Sequence, residues 1–251
     1  LVSLLFGTRK YIAVFLITLA ALSGTAYYSH DKQQRAEAIA LRAVADQGDA
    51  ESQYRIAAHF EDGNGVSQSF DHAGDYYNRA AHQGHSGARA RIAKAHEVCF
   101  DHSPRNLDEA HECQIDAHAG NANSQVAVAV LYDSGRLFKQ NDVLAVLWYD
   151  LAAIQGDSRA QLMMARANAG RGLLPNPVEE YAWAATAAQR NDLPEDLRRN
   201  MLTLTRVLKE KLVANYGQDV ADRAEAKARF YIQNYGKNDP KPKMHERNSN
   251  K

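Results

Sequence analysis

The 251 residues suffice for one large domain or two small ones, and 30 basic residues balance 30 acidic ones, so the chain has no bulk field to gather nucleic acid. Alanine is abundant, prolines number only 6, and valine and isoleucine are sparse, a composition that favours helix over sheet. The expectation is an all-α chain.

Residues 1–28 read as an N-terminal membrane anchor or signal segment. Tyr11 to Tyr28 is a run of 18 residues without a charge, preceded by Arg9 and Lys10. At 1.5 Å per residue such a helix only just crosses a hydrocarbon core of about 30 Å. A signal peptide also fits, with Ile12 to Leu22 as its apolar core and Gly24-Thr25-Ala26 as a small-x-small cleavage site. Either reading puts the rest of the chain outside the cytoplasm if the short N-terminus stays in. The first expects a single-pass protein facing the periplasm; the second, a periplasmic or secreted one.

Gly48, Gly84, Gly120 and Gly156 follow one another at a constant spacing of 36 residues. A fixed period in this range is the signature of a solenoid. One residue short of the next period stands Asn191, the usual non-glycine occupant of the left-handed conformation that ends helices. Counted from the glycine, plus four is small (Ser52, Ala88, Ser124, Ala160), plus eight apolar (Ile56, Ile92, Val128, Met164) and plus nine alanine (Ala57, Ala93, Ala129, Ala165). These spacings keep one face of a first helix apolar and closely packed. A turn follows, then a second helix carrying alanine with an aromatic three residues on (Ala73 with Tyr76, Ala145 with Trp148), closing on paired alanines and the glycine. Each unit is thus an antiparallel helix pair that buries its apolar face only by stacking on the next. The predicted fold is an α-solenoid of about four helix-turn-helix repeats over residues 49–191. A leading half-repeat helix covers 29–48, capping helices cover 192–236, and a disordered tail covers 237–251.

"AESQYRIAAHFEDGNGV" (Ala50 to Val66) with "AGDYYNRAAHQG" (Ala73 to Gly84) resembles the Sel-1-like repeat, a relative of the tetratricopeptide fold. "NSQVAVAVLYDSG" with "AVLWYDLAAIQG" in the third unit resembles it equally. The fourth unit keeps Trp183 but not the second aromatic. The second unit departs most: its turn lacks glycine, and Cys113 stands where an aromatic is expected.

No catalytic signature is present: no phosphate-cradling glycine loop, no GxSxG elbow, no HExxH. Neither an enzyme nor a cofactor is expected. Cys99, His102, His111 and Cys113 offer zinc-ligand chemistry, but His111 and Cys113 lie two apart on a predicted helix and point about 200° from each other. No metal is expected there. For Cys99 and Cys113 two readings stay open, a disulfide or two partly buried thiols. Cys113 lies roughly 10 Å along the second helix, so a bridge requires the turn to fold back.

In solenoids of this type first helices line the concave surface, where partners bind. Positions plus seven and plus ten lie off the core stripe, and present Arg55, Arg91, Lys94, Ala127, Val130, Met163 and Arg166, joined by Leu131. The pattern predicts a basic end in units one and two and an apolar patch in unit three, a groove for a protein segment with acidic and apolar residues. The family resemblance implies an adaptor holding protein partners of the cell envelope. The alternative is an envelope enzyme or a small-molecule- or metal-binding protein using the Cys/His-containing second repeat.

Overall fold

A computed structural model describes residues 30, 32–99, 103–171 and 173–236. The segments 1–28 and 237–251, and with them the expected anchor or signal and the tail, lie outside the described residues. Among the described residues there are eleven α-helices and no strand, and none of these helices is long and apolar enough to cross a membrane. The helices are α1 (residues 32–45), α2 (Ala50–Asp62), α3 (Phe70–His82), α4 (Ser86–Cys99), α5 (Leu107–His118), α6 (Ala122–Ser134), α7 (Asp142–Ile154), α8 (Ser158–Asn168), α9 (Pro177–Ala188), α10 (Glu195–Tyr216) and α11 (Gln218–Tyr235). The chain divides into two compact units, one ending at Ile92 and the other beginning at Ala93.

The helix boundaries follow from side-chain chemistry. Asp49, Ser69, Asn106, Asn121, Asn141, Asp157 and Asn176 each accept a hydrogen bond from a backbone N–H of the first turn they precede. At the corresponding place before α4 the residue is His85, and its Nδ1 takes the cap role, accepting from Ala88 N at 3.1 Å. Second helices end on the period glycine in the left-handed region: Gly84 has φ +95°, and His85 N then reaches back to Ala80 O at 3.1 Å. The same closure recurs from Asp157 N to Ala152 O at 3.0 Å. It satisfies carbonyls that a helix end otherwise leaves open.

In the first unit Ile56, Ala57 and Phe60 of α2 are buried against Ala73, Tyr76, Tyr77 and Ala80 of α3. The turn glycine Gly65 (φ +70°) lies so close to α1 that a Cβ there would sit 2.3 Å from the Gln34 carbonyl oxygen. In the second unit a continuous core runs from Val128 and Ala129 through Trp148 and Met164 to Trp183, Leu208 and Ala224. The small residues sit where helices meet: Ala88, Ala129 and Ala160 are fully buried, and any larger side chain would hold the helices apart.

A buried glutamine repeats five places after the period glycine. Gln53, Gln125 and Gln161 each donate Nε2 to the last alanine carbonyls of the preceding second helix, Ala45, Ala117 and Ala153 (3.0, 3.1 and 3.2 Å). Their own oxygens accept from the glutamine that precedes the next glycine, Gln83 to Gln53 at 2.8 Å and Gln155 to Gln125 at 2.7 Å. In the fourth repeat the missing residue puts Arg190 at that place, and its guanidinium pairs with Asp192 at 3.0 Å instead. Gln161 Oε1 is accordingly buried without a hydrogen-bond partner among the described residues.

The C-terminal helices cover α9, which is buried along its length from Tyr181 to Ala188. Tyr231 of α11 packs on Trp183 with ring centroids 4.5 Å apart and donates its hydroxyl to Glu179 at 2.8 Å, while Lys227 pairs with the same carboxylate. Tyr235 O receives the second Nε2 proton of Gln161 at 2.8 Å.

Candidate functional site

The predicted groove residues separate into three groups. Leu131 is a correction: it is 1% exposed and belongs to the core of the second unit. Three residues after buried Val128, it is only about 60° round the helix from the core stripe, so the period places it inside. Arg55, exposed, and Arg91, largely buried, are already engaged by their own unit. Arg55 Nη2 lies 2.8 Å from Glu37, and Arg91 holds Glu61 through Nε at 3.0 Å and Nη2 at 2.6 Å. The expected basic end is therefore neutralised from within wherever the first unit supplies it. Lys94, Val130 and Arg166 are exposed, whereas Ala127 and Met163 are partly buried against the core.

Arg91 is the centre of a built arrangement. Tyr77 donates its hydroxyl to Glu61 at 2.7 Å, and the Arg91 guanidinium lies 5.9 Å from the Tyr77 ring centroid. Burial, with Glu61 as acceptor, raises the Tyr77 hydroxyl far above its ordinary range, so it keeps its proton and donates it to the carboxylate. Plus thirteen and plus twenty-nine of the first repeat, with plus seven of the second, make the set.

The same three places further along the chain differ in content. Between the second and third repeats they hold Glu97, Cys113 and Ala127. Cys113 is bonded to Cys99, their Cα atoms 5.2 Å apart. The bridge draws the two helices together, and ahead of α5 Pro104 is fully buried, its carbonyl accepting from Arg136 Nη2 at 2.7 Å. Between the third and fourth repeats the places hold Asp133, Tyr149 and Met163, around an open cavity of about 240 Å³ that Arg166 and Arg171 also line. Burial, and then the Asp133 charge, push the Tyr149 hydroxyl up to about 12. Sequence reasoning picked out Met163 and Arg166 here and missed Asp133 and Tyr149; counting those two from the period glycine would have matched them to Glu61 and Tyr77.

The zinc-type residues of the second repeat are otherwise occupied. The two sulfurs are joined to each other, His111 stacks on Phe138 at 5.9 Å, and His102 lies outside the described residues. Asp116, buried at the place of a repeat alanine, is held by Ser124 Oγ at 2.5 Å and His96 Nδ1 at 3.1 Å.

One further surface stands out when repeats are compared. On α3 the row Asp71, Asp75, Arg79 and His82 is polar. The same four places on α7 are Val143, Leu147, Leu151 and Ile154, which are 62%, 56%, 42% and 38% exposed.

The description "Sel1 repeat" matches residues 50–85 and 122–157, the α2–α3 and α6–α7 pairs with their closing glycines. The chain contains two Sel1 repeats. Sel1-repeat proteins are generally protein-interaction scaffolds and typically non-enzymatic. Two solved structures are similar. A protective antigen of uropathogenic Escherichia coli strains displaying an SLR fold shares 23% identity over 78% of this chain and 40% of its own, with a TM-score of 0.46. A Sel1 repeat protein from Oxalobacter formigenes shares 25% identity over 68% of this chain and 49% of its own, with a TM-score of 0.37. The chain thus spans less than half the length of either. No curated protein matches the chain.

Proposed function

We propose that this Sel1-repeat chain is a non-enzymatic adaptor of the bacterial cell envelope, tethered through residues 11–28 with its repeats facing the periplasm. Partner segments bind along the first-helix positions Lys94, Ala127, Val130, Met163 and Arg166. The observation that carries the reading is the open cavity lined by Met163 and Arg166, with Val130 exposed on α6, in a chain whose repeats belong to a class of protein-interaction scaffolds. The Cys99–Cys113 bond supports an oxidising compartment, since such bonds are rare in the cytosol. If residues 11–28 are removed as a signal, the same repeats act as a periplasmic or secreted binder; the mass of the mature protein separates the two.

The test is site-specific photo-crosslinking in the native cell, with the probe at Val130, at Leu147 on the apolar row of α7, and at polar Asp75 on α3. Capture of one defined protein from Val130 but not from Asp75 supports the groove. Capture from Leu147 alone moves the contact to the α7 row, and no capture above the Asp75 level removes the adaptor reading.

A further inference from the structure

The third and fourth repeats contain the site that Arg91 fills in the first and second, but without its arginine. Asp133 takes the place of Glu61, Tyr149 that of Tyr77 and Ala145 that of Ala73, while Met163 stands where Arg91 does. Tyr149 is 4% exposed and lines the cavity, yet its hydroxyl has no hydrogen-bond partner among the described residues. Asp133 is exposed at the same cavity, and no cation lies within ion-pair distance of it among the described residues. A buried phenol and a carboxylate that jointly held a guanidinium in one repeat are here left facing about 240 Å³ of open space.

We infer that this cavity receives a guanidinium side chain from a partner segment, seated as Arg91 is seated against Glu61 and Tyr77. The chemistry matches each part of an arginine. Asp133 is one methylene shorter than Glu61, and Met163 brings no charge from α8, so the carboxylate is left with room for a guanidinium. Carboxylate and guanidinium pair through two parallel hydrogen bonds, the strongest polar contact available to a side chain. Met163, Ala145 and Val146 give an apolar wall for the aliphatic stem. Arg166 and Arg171, exposed around the same cavity, suit an acidic residue next to the inserted arginine rather than a second cation. The second junction cannot do the same, because Cys113, bonded to Cys99, supplies no hydroxyl donor beside Glu97.

This rests on the reading that partners bind the first-helix face, but the test does not need the partner. The full chain is titrated by calorimetry with N-acetylarginine amide and, separately, with N-acetylglutamate amide, each to about 10 mM because a single side chain binds in the millimolar range. The arginine derivative should bind the native chain, at least about 5-fold more weakly to Asp133→Asn, consistent with loss of one charge-assisted pair, and not at all to Met163→Arg, whose own guanidinium occupies the seat. Met163→Arg should also unfold at a higher temperature than the native chain, and the gain should vanish when Asp133→Asn is added. Equal binding of the arginine derivative to native chain and Asp133→Asn overturns the inference. So does binding of the glutamate derivative alone, which would mean that Arg166 and Arg171 read acidic groups. If the arginine derivative fails while Val130 still captures a partner, only this inference falls. If it binds while neither Val130 nor Leu147 captures anything above the Asp75 level, the seat stands and the adaptor reading falls.

Discussion

Gln155 donates to Gln125 Oε1 at 2.7 Å, repeating 72 residues later the bond from Gln83 to Gln53. Each such pair ties the end of one second helix to the first helix of its own repeat, and through Gln125 Nε2 to the end of the repeat before. The closing glutamine-glycine of the first and third repeats is thus a polar clasp across a junction that is otherwise packed by alanine.

The inner member of the pair should matter most. Gln125 is 4% exposed, and Gln125→Ala removes two bonds at once, to the Ala117 carbonyl, which keeps Gly120 N–H, and from the Gln155 amide, which keeps Leu151 O. The expected cost is about 2–4 kcal/mol, against about 1 kcal/mol for Gln155→Ala, whose bond is only part-buried. Urea unfolding of the two variants checks the order; equal costs would mean that the clasp is not the source.

Glycine substitutions separate backbone strain from contact. At Gly48 (φ +107°) a Cβ meets nothing within 4 Å, so Gly48→Ala should cost about 1–2 kcal/mol for the left-handed backbone alone. Gly65→Ala adds a collision with the Gln34 carbonyl, so α1 must shift away. Its loss should exceed that of Gly48→Ala by a further 1–3 kcal/mol or so, typical of overpacking, and should appear as faster amide exchange in residues 32–45.

The disulfide closes a loop spanning 14 positions, for which chain-entropy arguments give about 3 kcal/mol. The double variant Cys99→Ser with Cys113→Ser should unfold at correspondingly lower denaturant, and reductant should lower the midpoint of the native chain but not of the variant. A native chain indifferent to reductant would show that the bond adds nothing to stability.

Stability should fall at alkaline pH partly through Tyr149. Its folded value, raised to about 12 by burial and Asp133, lies above the unfolded value near 10, so the folded state holds the proton more tightly. Its contribution is whole below pH about 10 and is lost as pH rises towards 12. Tyr149→Phe should show a smaller drop in melting temperature between pH 9.5 and 11.5 or so, the window those two values define; Tyr77→Phe, raised in the same direction, should behave likewise.

The sequence by itself determined the helix pairs, their period, and the places of alanine, aromatic and glycine. Those are local and periodic properties: a left-handed helix end needs glycine, and a 3.6-residue turn fixes which side chains share a face. Only the tertiary structure decided what each surface side chain meets. Arg91 read as a free cation until Glu61, 30 residues earlier, proved to hold it. Leu131 read as surface because it was grouped with Val130, when a one-residue step on a helix turns it into the core. The Cys99–Cys113 bond depended on the path of a turn, which helix periodicity does not describe. The seat at Asp133 and Tyr149 was half legible: the period aligns them with Glu61 and Tyr77 and puts Met163 where Arg91 stands, but only the structure shows that the three earlier side chains meet and that the later ones line a cavity.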